Sequence, residues 1–142
     1  MSIYLEIQNV DNLDLDKFCE YLIGMMREYL LTEIDKMQTK RFDDYIKEKG
    51  IIKSIYRNGK TPMVKDILVA STSHLIVNKV NSNYIIKLNP NAKIPNTSAK
   101  FIEIIKLVDE GNLEVKRYPI YSDMTDFFAK NLYYFYNKWL GE

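Results

Sequence analysis

Cysteine and histidine are almost missing from this chain, which has one of each in 142 residues. A lone Cys19 excludes an internal disulfide and a cysteine-built zinc cluster, and it suits a reducing compartment. A lone His74 excludes a two-histidine metal site. Any Ser-His-Asp arrangement would have to be built around it. Glycine is scarce and scattered: Gly24, Gly50, Gly59, Gly111 and Gly141 never come together as a phosphate-cradling loop, which argues against P-loop and dinucleotide enzymes. No apolar run approaches membrane-spanning length, and "MSIYLEIQNV" lacks the basic start and apolar core of a signal peptide. The expectation is a protein made and kept inside a cell, with no membrane partner. Net charge is nearly absent as well. Twenty Lys and Arg against 19 Asp and Glu leave +1, so no global field draws in nucleic acid and any electrostatic partner must be met by a local patch.

What is present is enough for one folded unit, 1–142, with a core that needs no staples. Eleven tyrosines supply area that buries at low rotamer cost while keeping a polar tip, a property favoured at protein interfaces. Ile3, Leu5 and Ile7 alternate with Tyr4, Glu6 and Gln8 as in a short strand with one buried face. "NVDNLDLD" supplies Asn and Asp caps for a long helix from about Asp14 to Met37. Its stripe runs through Cys19, Ile23, Met26, Leu30, Ile34 and Met37, widened by Phe18, Leu22, Met25 and Tyr29. Phe42, Tyr45 and Ile46 mark a shorter helix that Gly50 ends. Asn58-Gly59 and Pro62 mark a turn or exposed loop. The β-branched segments "DILVAST", "HLIVNKV" and "NYIIKL" read as strands, the last two forming a hairpin through Asn81-Ser82-Asn83. Asn96, Thr97 or Ser98 is placed to cap the next helix. That helix buries Phe101, Ile104, Ile105 and Val108 and closes at Gly111 or Asn112. "LEVKRY" alternates like a strand, and Pro119 stops it from being a fully paired central one. Ser122, with Asp123 and Asp126, then opens a last helix carrying Met124, Phe128, Leu132, Phe135 and Trp139. The predicted class is α+β: a long N-terminal helix, a small antiparallel sheet with a hairpin, and two C-terminal helices.

Chemistry is thin. His74 sits beside Ser71 and Ser73, but neighbours on a strand point to opposite faces, so a structural or surface histidine is expected. Cys19 lies on an apolar stripe, where a buried, inert thiol is expected. The one catalytic pattern is Glu114-Val115-Lys116. An acid-x-lysine triplet on a strand, with Asp109, Glu110 or Glu103 as an upstream acid, is how metal-dependent nucleases hold a divalent ion and place a lysine by the scissile phosphate. The competing reading is an exposed polar face with Val115 pointing in. A basic run, Lys47, Lys49, Lys53, Arg57, Lys60 and Lys65, is a solvated face or a docking patch for an acidic protein surface. DNA contact through it would be to phosphates, without sequence specificity. In "FFAKNLYYFYNKWL", Phe127, Tyr133 and Tyr134 fall off the core-facing stripe; they either cover the rim of the core or form a subunit contact.

With these elements placed, the order resembles the tail-completion, or head-to-tail joining, proteins of tailed bacteriophages. In that family an acid-x-Gly-Thr or acid-x-Gly-Asn segment closes an element, and an aromatic-Pro-apolar step opens the last helix. Asp109-Glu110-Gly111-Asn112 and Tyr118-Pro119-Ile120 occupy those places. The element order covers nearly the whole chain, and likeness in sequence is confined to residues 107–128. Where the family carries an Asp-Thr-Gly-x-Leu-type segment before its hairpin, this chain reads "VASTSHL". The resemblance implies a non-enzymatic structural protein of the virion neck or tail, assembled in the host cytoplasm. It would form a ring of its own copies between portal-connector and tail-tube proteins, with no cofactor and no metal. Lys53, Arg57 and Lys60 on one side and Tyr133 and Tyr134 on the other would supply the two unlike surfaces that a head-to-tail ring requires. Two alternatives stand beside it: a small metal-dependent nuclease using Glu114 and Lys116, and a small phage or bacterial adaptor protein.

Overall fold

The computed structural model describes residues 3–9, 13–53 and 61–142. The first strand, β1 (Tyr4–Ile7), buries Leu5 and Ile7 and exposes Tyr4 and Glu6, as its alternation predicts. Asn9 then clasps Leu13, accepting its N–H at 2.9 Å and donating to its carbonyl at 2.7 Å. The long helix α1 (Asp16–Lys36) follows, with Phe18, Cys19, Leu22, Met26, Leu30 and Ile34 all buried on one stripe. Its capping position is Leu15, whose side chain cannot cap. The Asp14 carboxylate, one residue ahead of that position, instead receives the Asp16 N–H at 3.1 Å. Leu22, Met26, Leu30 and Ile34 have no solvent exposure, and their burial stabilises the fold by roughly 6–12 kcal/mol as an upper estimate. α1 is therefore the scaffold on which the rest is mounted.

Helix α2 (Lys40–Lys49) ends on Gly50, which takes left-handed φ and ψ of 60° and 35° and returns its N–H to the Ile46 and Lys47 carbonyls. The segment read as a strand, "DILVAST", is instead helix α3 (Val64–Ser71). Its buried residues, Val64, Ile67, Leu68 and Ser71, recur at the spacing of one helical face. Asp43 of α2 holds its start by accepting the Val64 N–H at 2.6 Å. Tertiary packing overrides the β-propensity of Val and Ile here.

A single 3₁₀ turn (Thr72–His74) leads into β2 (Leu75–Val80) and β3 (Asn83–Leu88). Asn81 and Ser82 both adopt positive φ, 51° and 73°, the conformation of a two-residue hairpin turn. Asn83 belongs to β3, opposite Val80, and not to the turn. β1 pairs antiparallel along the other side of β3, from Tyr4 opposite Lys87 to Ile7 opposite Tyr84, giving the order β1-β3-β2.

Beyond the sheet, none of Asn96, Thr97 and Ser98 caps a helix. Thr97 Oγ closes a turn on itself by donating to the Ile94 carbonyl at 2.9 Å and accepting the Ala99 N–H at 3.2 Å. Helix α4 (Phe101–Glu110) starts after an extended Lys100 with no side-chain cap. "LEVKRY" is irregular and not a strand, and the closing helix is two: α5 (Ile120–Lys130) and α6 (Leu132–Leu140). α1 and α5 pack on one another and on the sheet, while α3 and α4 pack together behind α1. The α+β class, the antiparallel sheet and the long first helix are as the sequence predicts.

Candidate functional site

Residues 107–128 form a joint in which Asp109, Gly111, Asn112, Tyr118 and Pro119 each have a backbone task. Asp109, the penultimate residue of α4, is 1% exposed. One of its carboxylate oxygens accepts the N–H of Tyr121 at 3.0 Å and of Ser122 at 2.9 Å, and the other accepts the Ser122 hydroxyl. These are donors of the first turn of α5, which no residue of α5 itself satisfies. Asp109 is thus a cap supplied across the loop. Gly111 stands at φ 63° and ψ −171°, a conformation open essentially to glycine alone. A Cβ there would lie 2.5 Å from the Arg117 N. Asn112 accepts the N–H groups of Glu114 at 2.8 Å and Val115 at 3.0 Å, and donates to the Tyr45 hydroxyl at 3.0 Å. The Tyr118 N–H closes the loop on the Val108 carbonyl at 2.7 Å. Pro119 then stands at the N-cap of α5, where its missing N–H costs nothing.

The joint aims α5 and α6. Asn131 interrupts them with φ −113° and ψ 20°, and its side chain turns back to the Phe127 carbonyl at 2.8 Å. Phe135 of α6 stacks on Phe128 with ring centroids 4.7 Å apart, and Tyr136 and Trp139 lie against Phe18 of α1 at 5.2 and 5.3 Å. The outer side is unusually apolar for a surface. Tyr133 is 81% exposed, Tyr134 60%, Leu140 58% and Phe127 42%. Tyr134 and Phe127 are linked through the ring of Phe135, at 5.3 and 6.0 Å. Beside them runs an open groove of about 500 Å³, walled by Leu132, Tyr133 and Tyr136 of α6 and by Ile7, Leu13 and Leu15 opposite.

Tyr133 and Tyr134 are both exposed, as the helical spacing predicts, Tyr133 on the groove and Tyr134 against Phe135. Lys53 is exposed at the end of its described segment, whereas Arg57 and Lys60 lie outside the described residues. Glu114 and Lys116 are both exposed, but on an irregular segment where strand alternation does not apply. Glu114 pairs with Lys49 at 3.3 Å. Asp109, one of the upstream acids a nuclease would use, has both oxygens engaged by α5. Among the described residues no group of three or more His, Cys, Asp or Glu side chains is arranged to hold a metal ion. His74 stacks on Phe101 with ring centroids 4.9 Å apart, a packing contact. Cys19 has no exposure, and burial, aided by the Asp16 carboxylate, pushes its thiol up to about 11. No described helix is long and apolar enough to cross a membrane. Sequence reasoning missed the capping role of Asp109 and the groove, since both depend on residues far apart in the chain.

The fold and site define an α+β domain with a hydrogen-bonded joint over residues 107–128 and exposed aromatic residues on α5 and α6. No family model, curated protein or solved structure matches the chain.

Proposed function

We propose that this protein is a non-enzymatic assembly protein, of the virion neck or tail kind that its 107–128 segment resembles, and that it works by adhesion between copies and to a neighbouring structural protein. The observation that carries this reading is the exposed aromatic side of α6. Scattered exposed apolar residues need no explanation, but four large ones on α6 and the adjoining α5, with a largely apolar groove beside Tyr133, support an interaction surface there. Tyrosine suits that role because it adds contact area with little entropy to lose. The basic stretch around Lys47 and Lys53 offers the second, unlike surface that a ring of identical copies needs. DNA passing through such a ring would meet it only as phosphate charge.

The test is sedimentation velocity of the wild type and of the double variant Tyr133→Ser, Tyr134→Ser, alone and with a phage portal-connector or tail-tube protein. The wild type is expected to enter complexes of several copies. The double variant is expected to lose them while keeping its helical circular dichroism. A double variant that assembles as well as the wild type, or a wild type that stays monomeric throughout, removes the reading.

A further inference from the structure

Helix α6 is seated less deeply than the two helices before it, α4 and α5. Only Phe135 of its nine residues is buried, against six of eleven in α5 and five of ten in α4. Its seat is made of rings, with Phe135 on Phe128 and with Tyr136 and Trp139 on Phe18. One flank borders the open groove, so nothing described wedges it on that side. Its root, Asn131, leaves helical geometry without a proline or glycine to force it. A nine-residue helix has little stability of its own, so its docking contacts and its continuity with α5 decide where it lies. Beneath it, Phe18 and Phe128 are 1% and 2% exposed and would be bared by its departure.

We propose that α6 is an exchangeable strap: it swings about Asn131 as a unit, and in the assembled state the strap of one copy occupies the Phe18–Phe128 seat of the next. The occupant is a second copy because the vacated seat is complementary, ring for ring, to an identical α6. Exchange of an identical element replaces each lost contact with the same contact and leaves only the hinge to differ between the two states. The present interruption at Asn131 is the closed form of that hinge, and a continuous α5–α6 helix is the open form. This inference rests on the assembly reading only in naming where the strap goes. The double tyrosine variant tests outward adhesion and the Asn131 variants test exchange, so the two readings fail separately.

Trp139 is the only tryptophan in the chain and sits on the strap, so its fluorescence reports docking directly. In urea, the Trp139 emission and its acrylamide quenching are expected to change before the far-ultraviolet dichroism. Amides of residues 132–140 are expected to exchange at least about 100-fold faster than those of α5. Asn131→Ala favours the continuous helix and is expected to shift the protein to a dimer of doubled mass in light scattering, with native helix content. Asn131→Pro removes the N–H that bonds the Phe127 carbonyl and cannot sit inside a continuous helix, so it is expected to keep the protein monomeric. Coincident fluorescence and dichroism transitions in the wild type, or a monomeric Asn131→Ala protein with native helix content, overturns the proposal.

Discussion

Asp109 performs at the end of one helix a task that belongs to the start of another. Its carboxylate takes two N–H groups and a hydroxyl from the first turn of α5, all out of water. Hydrogen bonds to a charged group contribute about 1.5–3 kcal/mol each, and buried donors left unpaired carry their full desolvation cost. Asp109→Ala is therefore expected to lower stability by about 3–5 kcal/mol in urea unfolding. Asp109→Asn keeps one accepting oxygen and should cost less than half as much. A loss below about 1 kcal/mol for the alanine variant would show that water replaces the cap. None of this is visible in sequence. The partners lie 12 and 13 residues away, across a glycine, and an Asp near the C-terminus of a helix reads as a misplaced charge against the dipole.

At the scale of elements, Gly111 decides whether α4 and α5 meet at all. Gly111→Ala must bring a Cβ to 2.5 Å from the Arg117 N and to 2.8 Å from the Val115 carbonyl, at a φ that side chains avoid. The expected loss is about 3 kcal/mol or more in urea unfolding, set by strain of about 1–3 kcal/mol plus the clash with backbone. Gly50→Ala is the control, since it too has positive φ but meets nothing within 4 Å; about 1 kcal/mol is expected there. The helices α1, α2 and α4 were legible because apolar spacing and, for two of them, a terminal glycine agree. The hairpin was legible from its asparagine-rich turn. Helix α3 was not, since Ile67, Leu68 and Val69 look like a strand and the fourth position of its buried face is Ser71. "LEVKRY" alternates by composition, but Asn112 ties up the N–H groups of Glu114 and Val115 that a ladder would need. The exposed Tyr133 and Tyr134 of the candidate site followed from helical period alone. The break at Asn131 has no local signal.

For the whole molecule, alkaline pH is the sensitive direction. Cys19 is raised to about 11, and Tyr121 is raised by burial, partly offset by its hydrogen bond to Ser71. Both groups are harder to ionise folded than unfolded, so on raising the pH the unfolded chain loses protons first. The stability they contribute is full below the unfolded pKa values and falls as pH rises through the folded ones. The urea midpoint is expected to be level near pH 8 and to decline between about 9 and 11, with Cys19→Ala shallower over that interval. In the same range, a thiol reagent should label Cys19 only at the rate of unfolding. The sheet carries a further consequence, for synthesis. β3 is the central strand, and β1 pairs with it across the span from Tyr4 to Lys87. At about 5–20 residues per second, the apolar residues of β1 wait several seconds or more on the ribosome before their partner exists. The nascent chain thus carries an unmatched strand until the hairpin is complete, and the segment made early is among the last to find its place.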